Sequence, residues 1–204
     1  MNLTIISGSH RTNSNSFKVA AFIQKTVTAE GMAESAEIIS LARNPLPMWD
    51  EDVFSGSEPW QQALGPVRAR LRASDALVIV APEWHGQIPP GLKNLLMLVE
   101  QGDVGHKPCL IVTVSAGISG AYPVTELRAF GGKNNRICFI PEQIIVRGAD
   151  RVLNEDSAEN DAEQDAMYRS RIPWALNILK AYAEALAVVR ASGVTQTDAF
   201  HNGM

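Results

Sequence analysis

Three stretches of the 204-residue chain concentrate residue types that can do chemistry. The densest is Ser7-Gly-Ser-His-Arg-Thr-Asn-Ser-Asn-Ser16. Its hydroxyls at Ser9, Thr12, Ser14 and Ser16, amides at Asn13 and Asn15 and the fixed charge of Arg11, with the free N–H groups of a following helix, would solvate a phosphate dianion. A terminal monophosphate suits it better than a pyrophosphate. The G-x-G-x-x-G pattern uses repeated glycines for close backbone approach, and here Gly8 stands alone. No Gly-Lys-Ser/Thr follows, which excludes a Walker loop. A plain capped turn needs one or two such residues and leaves this density unexplained.

The second stretch is Ala81-Pro-Glu-Trp-His-Gly-Gln-Ile-Pro-Pro-Gly-Leu-Lys-Asn94. Pro82 and Pro89 stiffen it, so Trp84 and His85 at its tip would offer a flat ring a stacking edge and preorganised N–H donors. It reads equally as a strand-to-helix turn with Trp84 in the core and His85 exposed, and Glu83 as a surface ion pair. The third, Ser115-Ala-Gly-Ile-Ser-Gly-Ala-Tyr122, mixes small residues with hydroxyls, so its amides could approach a ligand carbonyl or ring nitrogen. Small loops of this kind also end strands for steric reasons alone.

Each stretch follows a short apolar run. Five such runs, residues 3–6, 36–39, 76–81, 110–114 and 143–146, have the continuous apolarity of strands covered on both faces. Helical spacing joins Phe17, Ala20, Ile23 and Val27, then Trp60, Leu64, Val67 and Leu71, then Leu92, Leu95 or Leu96, and Val99. A shorter helix is expected over 123–130, stopped by Gly131-Gly132, and a long last one carries Leu176, Leu179, Ala183 and Leu186. Gly65-Pro66 predicts a kink or break in the second helix. Right-handed crossovers then give a three-layer, doubly wound α/β fold. Five strands with one helix after each favour the flavodoxin-like order 2-1-3-4-5, which puts all three stretches where the winding reverses.

Composition narrows the function classes. The chain has 46% hydrophobic and 20% charged residues and net charge −4, and a fold of this mass buries roughly 70% of its unfolded surface without staples. Cys109 and Cys138 lie in apolar runs and read as reduced core thiols of a cytoplasmic protein, and the four His never fall at metal-ligand spacing. No 18-residue apolar run or signal peptide pattern is present, so neither membrane insertion nor export is expected. Residues 150–165 hold seven Asp or Glu against Arg151, read as a solvated connection ending in a helix start. No basic patch interleaved with aromatics supports nucleic-acid binding. One domain is expected over residues 1–194, with 195–204 as a flexible C-terminal tail.

With all three stretches in place, the sequence resembles the NAD(P)H-dependent FMN reductases, a family that includes quinone, azo-dye and chromate reductases. Gly8, Ser9, Arg11 and Ser14 fall on its Gly-Ser-x-Arg-x-x-Ser-x-Asn pattern, with Ser16 for the closing Asn. Pro82, Glu83, Trp84 and His85 match its Pro-Glu-Tyr-Asn with two replacements, and Pro90-Gly91 and Leu92-Lys93-Asn94 keep its spacing. Gly120-Ala121 stands for the usual Gly-Gly, and Pro141-Glu142 matches a later Pro-Glu. The resemblance implies FMN, with Ser9, Arg11, Ser14, Asn15 and Ser16 on its phosphate. It puts Pro82, Glu83, Trp84, His85 and Gly86, with Ser115 and Gly117, at its ring.

The resemblance also implies an NADPH or NADH donor, a small oxidised acceptor, ping-pong turnover and a homodimer or homotetramer. No side chain is then obliged to act as acid, base or nucleophile. Backbone N–H groups near His85 and Gly117 are the candidates for stabilising charge on a reduced ring, and His85 is a candidate proton donor to a quinone. Two alternatives remain, a flavodoxin-like electron carrier with no nicotinamide step and a flavin-free scaffold. Electron carriers of that kind are strongly acidic with a Thr-rich phosphate loop, unlike the Arg11 loop here.

Overall fold

A computed structural model describes residues 1–195 and 200. Strands β1 (Asn2–Ser7), β2 (Ser35–Ser40), β3 (Ala76–Pro82), β4 (Pro108–Val114) and β5 (Cys138–Val146) form one parallel sheet in the order 2-1-3-4-5. Strand β3 explains the layering. Ala76, Val78 and Val80 enter one core and Leu77, Ile79 and Ala81 the other, all fully buried, as the two-residue period of a strand requires. Helices α1 (Asn15–Ala29) and α6 (Ala162–Ala191) cover the first face through Val19, Ile23, Ile172, Leu176 and Leu179. Helices α2 (Glu58–Ala73), α3 (Pro90–Leu98), the short α4 (Gln101–Val104) and α5 (Tyr122–Phe130) cover the second through Leu64, Leu71, Leu92, Val104 and Leu127. The expected flavodoxin-like architecture is the observed one.

Several local expectations need correction. Helix α2 runs unbroken through Pro66, because Pro66 and Gln62, whose carbonyl loses its donor there, both face solvent. Strand β5 begins five residues earlier than its apolar run, including Pro141, which an edge strand with a register shift tolerates. Cys109 is fully buried, and burial pushes its thiol up, but Cys138 is only half-buried. Helix α6 is long and apolar enough to cross a membrane, yet Ile172, Ala175, Leu176 and Leu179 are spent on the core.

The acidic segment is fastened rather than merely solvated. Asp165 is buried and accepts from the Leu153 N–H at 2.7 Å and Arg169 Nε at 2.6 Å. Lys18 on α1 donates to the carbonyls of Ala149 and Val152 and to Asn154 Oδ1. Burial pushes the Lys18 amine down, against the pull of Asp150, Glu159 and Asp165. Of the expected tail, residues 196–199 and 201–204 lie outside the described residues. The Thr195 carbonyl accepts from Gln101 Nε2 at 2.7 Å.

Candidate active site

The three stretches leave the carboxyl ends of β1, β3 and β4, neighbours across the reversal of winding, where an open α/β sheet forms its crevice. The first loop departs at Gly8, whose N–H donates to the Val80 carbonyl at 2.9 Å. A Cβ there would stand 2.9 Å from Leu92 Cδ2 and 3.2 Å from the Val80 carbonyl oxygen, so the chain passes tightly between β3 and α3. Ser14 caps α1 by accepting from the Phe17 N–H at 3.1 Å. Ser9 is buried and accepts from the Arg11 N–H at 3.2 Å. Asn15 Nδ2 donates to Asp150 Oδ1 at 2.7 Å.

Two hydroxyls in this corner lack partners. Ser7 Oγ, at the end of β1, and Ser16 Oγ, in the first turn of α1, are buried without a hydrogen bond. A buried orphan hydroxyl is uncommon and points to a missing ligand. It sits at the positive end of a 15-residue helix, beside Arg11, whose exposed guanidinium has no partner among the described residues. Hydroxyls, helix amides and a free cation together suit a phosphate.

The second loop is a two-residue hairpin. The Trp84 N–H donates to the Gln87 carbonyl at 2.9 Å and the Gln87 N–H returns the bond at 3.0 Å. Between them His85 and Gly86 have φ of 51° and 74°, the pair of positive values that defines a type I′ turn. Asn-Gly is the favoured pair there, and His is one of the few other residues enriched in the left-handed region. The N–H groups of His85 and Gly86 make no hydrogen bond among the described residues. Both amides are free to donate to a ligand.

Neighbouring elements brace this hairpin. The Glu83 carboxylate accepts from the Gly120 N–H at 2.6 Å, tying the second loop to the third. Glu126 on α5 accepts from the Ile88 N–H at 2.7 Å and pairs with Lys93 Nζ at 2.5 Å. His10 Nε2 accepts from the Gly91 N–H at 3.0 Å, and its ring leans on Trp84 with 5.7 Å between centroids. The third loop is braced by the end of β5: Gly148 donates to Gly117, Ala149 to Ser115 and Arg147 Nε to Ser119. Thr113 Oγ1 and the φ of 108° at Gly120 fix its far side. Ile118 stands 90% exposed at the tip.

The structure therefore gathers Ser9, Arg11, Ser14, Asn15 and Ser16 around the head of α1, and joins the Pro82–Gly86 turn to Ser115 and Gly117 through Glu83. Five of these side chains already make hydrogen bonds. Ser9 accepts from the Arg11 N–H, Ser14 from Phe17 and Glu83 from Gly120, and Asn15 donates to Asp150. Ser115 accepts from Gly117, so that the Gly117 amide expected to serve a ring is occupied. The braces His10, Asp150 and Glu126 escaped sequence reasoning, since their partners lie 81, 135 and 38 residues away. The Leu-Lys-Asn triplet was the legible signal for three others. Leu92 packs under Gly8, Lys93 pairs with Glu126, and Asn94 holds the Pro47 carbonyl and the Trp49 N–H.

A parallel 2-1-3-4-5 sheet with an anion-ready helix head and a rigid donor turn across its crevice defines a flavodoxin-like mononucleotide-binding protein. A family model described as NADPH-dependent FMN reductase matches residues 1–150. An FMN-dependent NADPH-azoreductase of Staphylococcus aureus is 28% identical over 172 residues, covering 82% of this chain and 88% of its own. Two solved structures share the fold. A flavoenzyme NAD(P)H:(acceptor) oxidoreductase from Paracoccus denitrificans aligns with TM-score 0.67 at 19% identity over 90% of this chain and 97% of its own. An FMN-dependent NADH-azoreductase from Bacillus anthracis, in complex with FMN, aligns at 0.56 and 17% over 88% and 100%. The chain belongs to the NADPH-dependent FMN reductase family. It is an oxidoreductase that uses FMN and NAD(P)H.

Proposed function

We propose that one domain, residues 1–194, holds FMN with its phosphate among Ser9, Arg11, Ser14, Asn15 and Ser16. Its ring lies against Pro82, Glu83, Trp84, His85, Gly86, Ser115 and Gly117. The observation that carries this is the buried, unpartnered Ser16 hydroxyl at the head of α1, a donor with nothing in the protein to serve. When bound, FMN supplies the redox chemistry, taking hydride from NAD(P)H and giving it to a small acceptor by ping-pong. The acceptor is a quinone, azo compound, metal oxyanion or free flavin.

The protein's part is binding and positioning. Arg11 and the α1 amides neutralise the phosphate, and the stiff 84–87 turn aims the His85 and Gly86 N–H groups at the edge where negative charge develops. Gly148, Ala149 and Arg147 hold the Gly117, Ser115 and Ser119 carbonyls, so the third loop would be a fixed wall beside a bound ring. The chain works as a homodimer or homotetramer. Exposed Met97 and Phe130, flanking an apolar groove of about 290 Å³ with Ile88 and Leu96, support that reading. Two free cysteines support a cytoplasmic location.

The test is the visible spectrum of the FMN-supplemented protein under anaerobic conditions. Bleaching on NADPH or NADH and return of colour on adding a quinone are expected. Bound flavin that stays oxidised with both donors would overturn the reading in favour of an electron carrier.

A further inference from the structure

Helix α3 begins badly on its own account. Its N-cap is Pro89, which offers no side-chain hydrogen bond, and its first residue, Pro90, has no N–H to satisfy. The first amide of the helix is that of Gly91. Its partner is His10, from the loop after β1, through Nε2 at 3.0 Å. The fit depends on glycine, because a Cβ at Gly91 would stand 2.0 Å from His10 Cε1. The next residue of the same helix, Leu92, packs against Gly8. The phosphate loop is thus seated on α3 at two successive points, and the His10 ring also supports Trp84 of the ring turn.

We propose that His10, as an unprotonated acceptor, is the positioning residue that sets the phosphate loop against the ring turn, and so governs flavin retention. This rests on the flavin site proposed above and adds to it a residue and a condition. An imidazolium has no lone pair at Nε2 for the Gly91 N–H. It would also bring a positive charge to the positive end of α3. Protonating His10 therefore releases Gly91, frees Trp84 and loosens the two loops that grip opposite ends of the cofactor. The charged groups around it are Arg11 on its own loop, His85 on the turn, and Lys93 on α3, which is already paired with Glu126. Arg11 and Lys93 are cations, and His85 is the other imidazole there.

The test uses His10→Gln, which keeps an acceptor that cannot be protonated, and His10→Leu, which has none. Two readouts are followed from about pH 8 to 5, where imidazoles titrate. The first is the Gly91 amide resonance of the flavin-free protein, and the second is FMN affinity. In the wild type the Gly91 resonance and the affinity should move together, with FMN weakened about tenfold at the acid end. His10→Gln should hold both nearly constant, and His10→Leu should bind weakly, about tenfold, at every pH. His85→Gln, titrated alongside, should keep the wild-type pH dependence.

A Gly91 resonance indifferent to pH in the wild type overturns the contact. A resonance that titrates while FMN affinity is flat reduces His10 to a structural cap and overturns the positioning role. Should Gly91 titrate in a protein that binds no FMN at any pH, the flavin site itself fails and the coupling with it. If His10→Leu does not fold, the contrast between wild type and His10→Gln decides alone.

Discussion

The two ends of this sheet treat polar groups in opposite ways. At the amino ends of the strands the buried charges of Asp103 and Lys107 are answered from within. Asp103 is fully buried, yet receives Arg72 Nε at 2.7 Å, Arg68 Nε at 3.3 Å and the Glu100 N–H at 3.0 Å. The Lys107 amine donates to the Leu71 and Arg72 carbonyls. At the carboxyl ends, Ser7 and Ser16 are orphaned, Arg11 is free and the His85 and Gly86 amides are open. Cavity size points the wrong way. The larger space, about 1090 Å³, borders Arg68, Arg72 and Lys107, whose interactions are largely complete. Arg68 Nε and His106 Nε2 are the buried side-chain atoms without hydrogen bonds at that end. The first still forms an ion pair with Asp103 at 3.3 Å, and burial with Arg136 and Arg190 pushes the His106 pKa down, favouring the neutral ring. Orphaned hydroxyls and open backbone amides beside the unpaired Arg11, rather than volume, mark the end proposed above to hold FMN.

That contrast is broken most forcefully at Asp103. Asp103→Ala would leave the partly exposed Arg68 and Arg72 and the Glu100 N–H without their acceptor, at a cost of about 1–3 kcal/mol. A large fall in the urea midpoint is expected, with FMN affinity of the still-folded protein unchanged. An equal loss of FMN affinity in folded protein would mean the two ends are coupled.

Lys107 sharpens the same point through pH. Burial lowers its pKa from 10.5 to about 8. Below pH 8 the amine is charged in both folded and unfolded chains, and the folded state carries the full desolvation cost. Between 8 and 10.5 the unfolded chain holds the extra proton, so this group's contribution to stability rises with pH. The gain is about 2 kcal/mol after discounting for its partial solvation. Measured against Lys107→Met at pH 7.5 and 10, the wild type should gain on the variant by that amount. Parallel stabilities would show that the carbonyls already compensate the charge.

At the other end the expected signs reverse. Ser16→Ala removes a hydroxyl with no partner, so stability should stay within about 0.5 kcal/mol or rise slightly. FMN should bind about tenfold more weakly, a loss of about 1.4 kcal/mol. Riboflavin, which lacks the phosphate, should be unaffected. A stability loss without a change in FMN binding would make Ser16 part of the frame and dissolve the contrast.

The contrast also explains what was legible. The fold could be read because burial on both faces leaves continuous apolar runs, as in β3, and because helix periods survive in α1 and α3. The loops could be read because unspent polar groups are local in sequence: six hydroxyl or amide side chains, with His10 and Arg11, fill the eight positions from Ser9 to Ser16. Braces are different. Glu126 differs in no visible way from any surface glutamate until Ile88 and Lys93 are brought to it. Pro66 misled for a related reason, since a proline's cost depends on whether its helix face is wet. The acidic segment concealed Asp165 because charge counting cannot tell a paired carboxylate from a solvated one.

The smallest expected effect is at His85, and it separates backbone from side chain within the functional end. The turn needs positive φ at this position, which Asn adopts more readily than His. His85→Asn should therefore stabilise by about 0.5 kcal/mol or less, whereas a β-branched His85→Val should cost about 1–2 kcal/mol. If the open N–H groups are what the ring meets, Asn preserves them, and FMN affinity and both half-reactions should match the wild type within about twofold. A slower oxidative half-reaction with a quinone, at unchanged reduction by NADPH, would instead identify the imidazole as the proton donor. The charge left unanswered at this end would then be met by a side chain as well as by the backbone.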